Sequence, residues 1–135
     1  MADPAAVLPL RVGMVMLGVR DMERSLEFYR DRLALPVQFS SPEFAFLSAG
    51  GVRLVLRRAP NQPAVSEEGR TEIVFTVDDV DAAHRVLAGR GVVFRVEPRP
   101  VTGDQCAADF RDPDGHVLSI FGPRKPESRG DMLRP

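Results

Sequence analysis

The chain of 135 residues holds one cysteine, Cys106, and two histidines, His84 and His116. A lone thiol excludes an internal disulfide and fits a reducing, cytoplasmic compartment. Neither sign of charge is in excess: 18 Lys and Arg stand against 19 Asp and Glu, a formal net charge of -1. That balance favours neither nucleic acid nor an acidic membrane surface as partner. No apolar run approaches the roughly 20 residues a membrane span needs. Met1 to Leu10 has no basic start and no long apolar core, so it does not read as a secretory signal. What is present is 44% hydrophobic and 27% charged residues, the composition of one globular domain with a real core.

Taken in order, Met1 to Pro9 reads as a proline-punctuated tail. Arg11 to Val19 is apolar and rich in β-branched residues, a strand. Asp21 is placed to cap a helix on which Met22, Leu26, Tyr29 and Leu33 recur at helical spacing, ending before Pro36. Val37 to Ser40, Phe44 to Ser48 and Val52 to Arg57 are short strands separated by turn residues. Ala59 to Arg70 is a polar connection. Thr71 to Val77 is again a strand. Asp78-Asp79 caps a helix from Val80 to about Ala88, which Gly89-Arg90-Gly91 ends. Val92 to Val96 is a strand, Glu97 to Thr102 a proline-rich bend, Asp104 to Arg111 a strand. Asp112-Pro113-Asp114-Gly115 is a turn: Pro113 fixes φ, the aspartates bond nearby amides, and Gly115 allows φ > 0. His116 to Phe121 is the last strand, and 123–135 a charged tail whose Arg129-Gly130-Asp131 reads as chance.

The second half repeats the first. Val19-Arg20-Asp21-Met22 lies over Val77-Asp78-Asp79-Val80, and Gly51 to Leu56 lies over Gly115 to Ile120, which pairs Val55 with Ser119. A duplicated βαβββ unit follows, with modules at about 11–58 and 70–122 inside one domain of 10–122.

The stretch Val15-Met-Leu-Gly-Val-Arg-Asp-Met-Glu-Arg-Ser-Leu-Glu-Phe-Tyr-Arg30 resembles the opening of the vicinal oxygen chelate superfamily. That group holds glyoxalase I, extradiol dioxygenases, fosfomycin-modifying enzymes, methylmalonyl-CoA epimerase and the bleomycin-resistance proteins. Ile73 to Ala83 and Phe110 to Gly115 resemble its second-half signatures. The resemblance implies an α+β fold: two βαβββ modules forming a curved, mostly antiparallel sheet cup with helices outside. It also implies a homodimer. In the metal enzymes of the group, His, Glu or Gln ligands stand on the inner face, and the corresponding positions here are Met14, Val55, Glu72 and Ser119. Val cannot ligate, a thioether is a poor partner for hard or borderline ions, and a Ser hydroxyl is a weak ligand. No catalytic metal and no other cofactor is therefore expected.

The expected activity is binding rather than catalysis: a metal-free relative of the bleomycin-resistance proteins that sequesters a small, partly aromatic molecule such as a natural product or antibiotic. Its binding residues would be Met14, Met16, Arg53, Val55, Arg57, Glu72, Val74, Ser119 and Phe121. Phe39, Phe44, Phe46 and Phe94 would add apolar lining, or would simply fill the core. Glu72 reads either as a wetted strand-end carboxylate, as a polar anchor, or as the one candidate catalytic base. Arg53 and Arg57 read as charges blunting an edge strand, as recognition of an anionic group, or, for Arg57, as an ion-pair partner of Glu72. The alternative is a superfamily enzyme, a lyase, isomerase or dioxygenase, working through Glu72 with an atypical metal site or none. His84 and His116 are expected at the surface, and Cys106 as a buried, inert thiol.

Overall fold

A computed structural model describes residues 12–63 and 71–125. The expected end tails, apart from residues 123–125, and most of the connection lie outside them. The element order repeats, as the duplication predicts. The first module is β1 (Met14–Val19), α1 (Met22–Leu26), β2 (Val37–Ser40), β3 (Phe44–Ala49) and β4 (Val52–Arg58). The second is β5 (Glu72–Thr76), α2 (Val80–Gly89), β6 (Phe94–Thr102), β7 (Gln105–Arg111) and β8 (Val117–Pro123). Each module makes its own four-stranded sheet, ordered β1-β4-β3-β2 and β5-β8-β7-β6. In each, the outermost pair formed by the first and last strands is parallel and the other two pairs are antiparallel.

Period-2 alternation divides each sheet into a helix-covered face and an open face. Val15, Leu17, Leu54, Leu56, Ala45 and Leu47 turn toward α1 in the first sheet, and Cys106, Ala108, Phe110, Leu118 and Ile120 toward α2 in the second; all belong to one apolar core. Cys106 is buried there, as expected.

Three elements depart from the sequence reading. The first helix is α-helical only through Leu26 and continues as a π-helical stretch (Glu27–Arg32), closed by Leu33 N–H donating to the Phe28 carbonyl. The wider turn accommodates Phe28 and Tyr29, adjacent in sequence, as two buried residues. The helix then stops at Ala34, a non-glycine residue at φ 59°. That backbone region favours glycine. Ala34→Gly should therefore raise the unfolding free energy by about 0.5–1 kcal/mol, read from urea midpoints.

The second departure is β6. It runs straight through Glu97 to Thr102, where a bend was expected. Proline is tolerated because β6 is the edge strand of its sheet and its pairing with β7 is broken by irregularities between Val96 and Arg99 and between Pro100 and Thr102. The third is the end of the fold. β8 continues to Pro123, and Arg124 bonds the Pro98 carbonyl at 2.9 Å and faces Asp81 at 3.1 Å.

Candidate functional site

The open faces are best read as rows that cross the strands in register. In the first sheet the central row is Met16 (β1), Val55 (β4), Phe46 (β3) and Phe39 (β2). The row on one side holds Met14, Arg53 and Ser48, and on the other Gly18, Arg57 and Phe44. Phe46 meets both Phe39 and Phe44 edge to face, with centroids 6.0 and 6.5 Å apart. Such contacts fix aromatic rings into a continuous wall. The wall is wet: Met14 is 46% exposed, Met16 49% and Phe39 56%, whereas Val55 at its centre is fully covered. Contiguous exposed apolar surface of this kind is a feature that marks many binding faces.

Arg53 and Arg57 flank that wall. The edge-strand reading of both is corrected, because β4 lies inside the sheet between β1 and β3. They stand on the same face as the aromatic row, at its two sides. Gln62 folds its amide over Gly18, where any Cβ would collide with it. Met16, Gly18, Arg57 and Gln62 thereby enter a cavity of about 480 Å³ at the seam between the sheets, closed from the other side by Ile73, His116 and Val117. A larger depression of about 940 Å³ on the outer flank of α1 is lined by charges of both signs and holds none of the expected site residues.

The open face of the second sheet is more polar. Its rows are Glu72, Val117 and Arg111; then Val74, Ser119, Asp109 and Val96; then Thr76, Phe121, Ala107 and Arg99. Val74 over Ser119 here matches Met16 over Val55 in the first sheet, the equivalence expected from the repeat. Arg99 reaches Asp109 at 3.4 Å. Glu72 is exposed at the start of β5, and no ion pair joins it to Arg57. Of the two roles open to Phe94 the structure has the core one: it packs on the helix side, 5.1 Å from Phe110 and 4.6 Å from the ring of His84.

The four positions that the resemblance marks for metal ligands do lie on these two open faces. Their donors do not suit a metal ion. Met14 and Glu72 are exposed strand starts, Val55 offers no lone pair, and Ser119, 3% exposed, sits beneath Val74 and Asp109. Among the described residues no three His, Cys, Asp or Glu side chains converge.

What sequence reasoning missed is the junction between the modules. The Asp112-Pro113-Asp114-Gly115 turn forms as expected: Gly115 takes φ 91°, and Asp112 Oδ1 accepts from the amides of Asp114 and His116 at 3.0 and 2.7 Å. The other oxygens reach across the chain. Asp112 Oδ2 accepts from the Tyr29 hydroxyl at 2.7 Å, and Asp114 Oδ1 from the amide and the Nε of Arg20 at 3.0 and 2.9 Å. Ser25 Oγ lies 3.4 Å from Asp114 Oδ2. His116 is no free surface residue, since its Nε2 lies 3.0 Å from the carbonyl of Gly18. His84 is likewise half-tucked against Phe94, facing Glu97 at 3.6 Å. The available signal was a lone tyrosine on the apolar face of the first helix, whose hydroxyl needed a partner once buried.

Burial pushes the Asp112 carboxyl above its ordinary value of 3.8, against the opposing pull of the Tyr29 hydrogen bond and of His116. Burial, then the neighbouring Asp112, holds the Tyr29 phenol well above 10.0, so it stays a donor. For a carboxyl raised in the fold, the folded state holds its proton more tightly than the unfolded chain. Its favourable contribution is thus present below the ordinary carboxylate range and is lost as pH rises through the raised value. Asp112→Asn, which keeps an oxygen acceptor, should flatten that decline. Urea midpoints of both proteins measured from pH 4 upward check it; parallel curves would show that Asp112 does not titrate in this way.

Comparison with known proteins agrees with this architecture. The "Uncharacterized protein YraH" of Bacillus subtilis (strain 168) is 28% identical over 127 residues, spanning 83% of this chain and 98% of its own. The metallothiol transferase FosB of Staphylococcus haemolyticus (strain JCSC1435) is 28% identical over 120 residues, 81% of either chain. A glyoxalase/dioxygenase from Nostoc punctiforme superposes with a TM-score of 0.72 at 21% identity, covering 93% of this chain and 97% of that one. At that identity it shows the shared fold alone. The model of the Glyoxalase/Bleomycin resistance protein/Dioxygenase superfamily matches residues 11–120, over both modules and both open faces, and the chain belongs to that superfamily.

Proposed function

We propose that this protein is a metal-free small-molecule-binding member of its superfamily, which holds a partly aromatic natural product or antibiotic against the open face of the first sheet. One observation carries the reading: the row Met16, Val55, Phe46, Phe39 is a water-exposed apolar wall flanked by Arg53 and Arg57. An aromatic body lies on the wall, and an anionic substituent meets Arg57 at the seam cavity. Glu72, Val74, Ser119 and Phe121 face it from the second module of a partner copy, as homodimers of this fold would arrange. The exposure of Met14, Met16, Phe39 and Val74 in a single chain supports that closure. Light scattering on the purified chain checks the dimer.

Calorimetric titration with 2-naphthoate and with its uncharged alcohol tests the site. The acid should bind with the higher affinity. Arg57→Gln should remove that preference, and Phe46→Ala should weaken both ligands. Failure of both ligands to bind would sink the reading.

The likeness to a metallothiol transferase supports a second reading, an enzyme that works through Glu72. Elemental analysis of untagged protein after incubation with Zn, Mn, Fe and Ni separates the two. Near-stoichiometric metal, lost in Glu72→Ala, would favour the enzyme.

A further inference from the structure

We propose that a second site, remote from the aromatic wall, binds a small phosphate-bearing anion where the first helix crosses the end of the β6–β7 hairpin. A cavity of about 400 Å³ opens there, and arginines from three separate elements line it: Arg24 and Arg32 on the helical segment, Arg95 on β6, and Arg111 at the end of β7. The volume lies in the range of small-ligand pockets and suits a diphosphate or a small phosphorylated molecule, not a polymer.

Two carboxylates share the cavity wall, Glu27 and Asp112, so cationic side chains outnumber anionic ones there. Glu27 approaches Arg32 at 3.5 Å with both side chains exposed to water, an arrangement that contributes little. Asp112 is occupied by the Tyr29 hydroxyl and by the amides of Asp114 and His116. Arg111 gives one Nη1 hydrogen bond to the Phe110 carbonyl at 3.2 Å, and its Nε is sealed from solvent and bonded to nothing. An excess of guanidiniums over carboxylates around one cavity costs Coulomb energy. A phosphoryl group removes that cost and accepts bidentate bonds from planar guanidiniums, which fit its oxygens. Gly91, at φ 89°, brings the backbone after α2 alongside Arg32 in this wall.

Titration of the full chain with sodium pyrophosphate in low-salt buffer, followed by calorimetry, tests the proposal. Saturable binding of one pyrophosphate per chain is expected, with citrate binding at least about tenfold more weakly. The double variant Arg24→Gln/Arg32→Gln, and separately Arg111→Met, should each weaken pyrophosphate about tenfold. The double variant changes only the helix surface, so it decides the matter if Arg111→Met does not fold. It should leave the 2-naphthoate titration as it was. Absence of saturation overturns the proposal. So does equal affinity for citrate, indifference to the double variant, or displacement of pyrophosphate by 2-naphthoate. Saturation by pyrophosphate, the citrate comparison and the response to the double variant are all read whether or not the aromatic site is real.

Discussion

Asp114→Ala should lower the unfolding free energy by about 2–4 kcal/mol, among the larger losses available from one side chain. The carboxylate is almost wholly buried and accepts from the backbone and side chain of Arg20, with Ser25 Oγ at 3.4 Å. Truncation strands the Arg20 amide and leaves the Ser25 hydroxyl, which is fully buried, without that acceptor. The Arg20 side chain is 41% exposed and can turn to water, so the charge pair itself contributes only part of the loss. Asp114→Asn keeps one acceptor oxygen and should lose roughly half as much. Urea unfolding of the three proteins measures this. A change below about 1 kcal/mol for the alanine variant would mean that the turn does not hold the modules together.

Phe110→Ala should cost about 3–5 kcal/mol. Phe110 is fully buried on β7, with Phe28 of the first module 6.3 Å away and Phe94 at 5.1 Å; Phe94 in turn meets His84 on α2. A cavity at its position removes the central ring from a chain of aromatic contacts that links the first helix to the second. Phe39→Ala provides the contrast. That ring is more than half exposed on the open face, and its loss should change stability by less than about 0.5 kcal/mol while weakening an aromatic ligand. Equal losses for the two variants would contradict the division of each sheet into a core face and an open face.

The strands, the helix starts and the duplication were legible because they are local. Asp21 and Asp79 cap their helices by accepting from the amides of Arg24 and Ala82, and the alternation in Met14 to Val19 and Val52 to Arg58 assigns each side chain to a face. The π-helical stretch was not legible, since the stripe Met22, Leu26, Tyr29, Leu33 fits an ordinary helix equally well. Pro98 and Pro100 read as a bend because proline usually interrupts a strand, and only the sheet order shows that β6 is an edge. Phe94 was open to either lining or core, and strand pairing decides it: the residue stands opposite Phe110 on the helix side. The polar junction was hidden for another reason. Its partners are 83 to 98 residues apart in the chain, and no periodicity records a contact at that distance.

Tyr29 has a practical consequence. The chain contains no tryptophan and this single tyrosine, so its intrinsic ultraviolet emission comes from one ring at the boundary between two halves of a duplicated molecule. While the halves are docked, the phenol is tied to a carboxyl group, an arrangement that quenches tyrosine light. Separation of the halves releases it. The protein therefore carries its own optical gauge of inter-module docking, read at one wavelength without any label, and circular dichroism of the strands run alongside would tell whether the halves part before they melt.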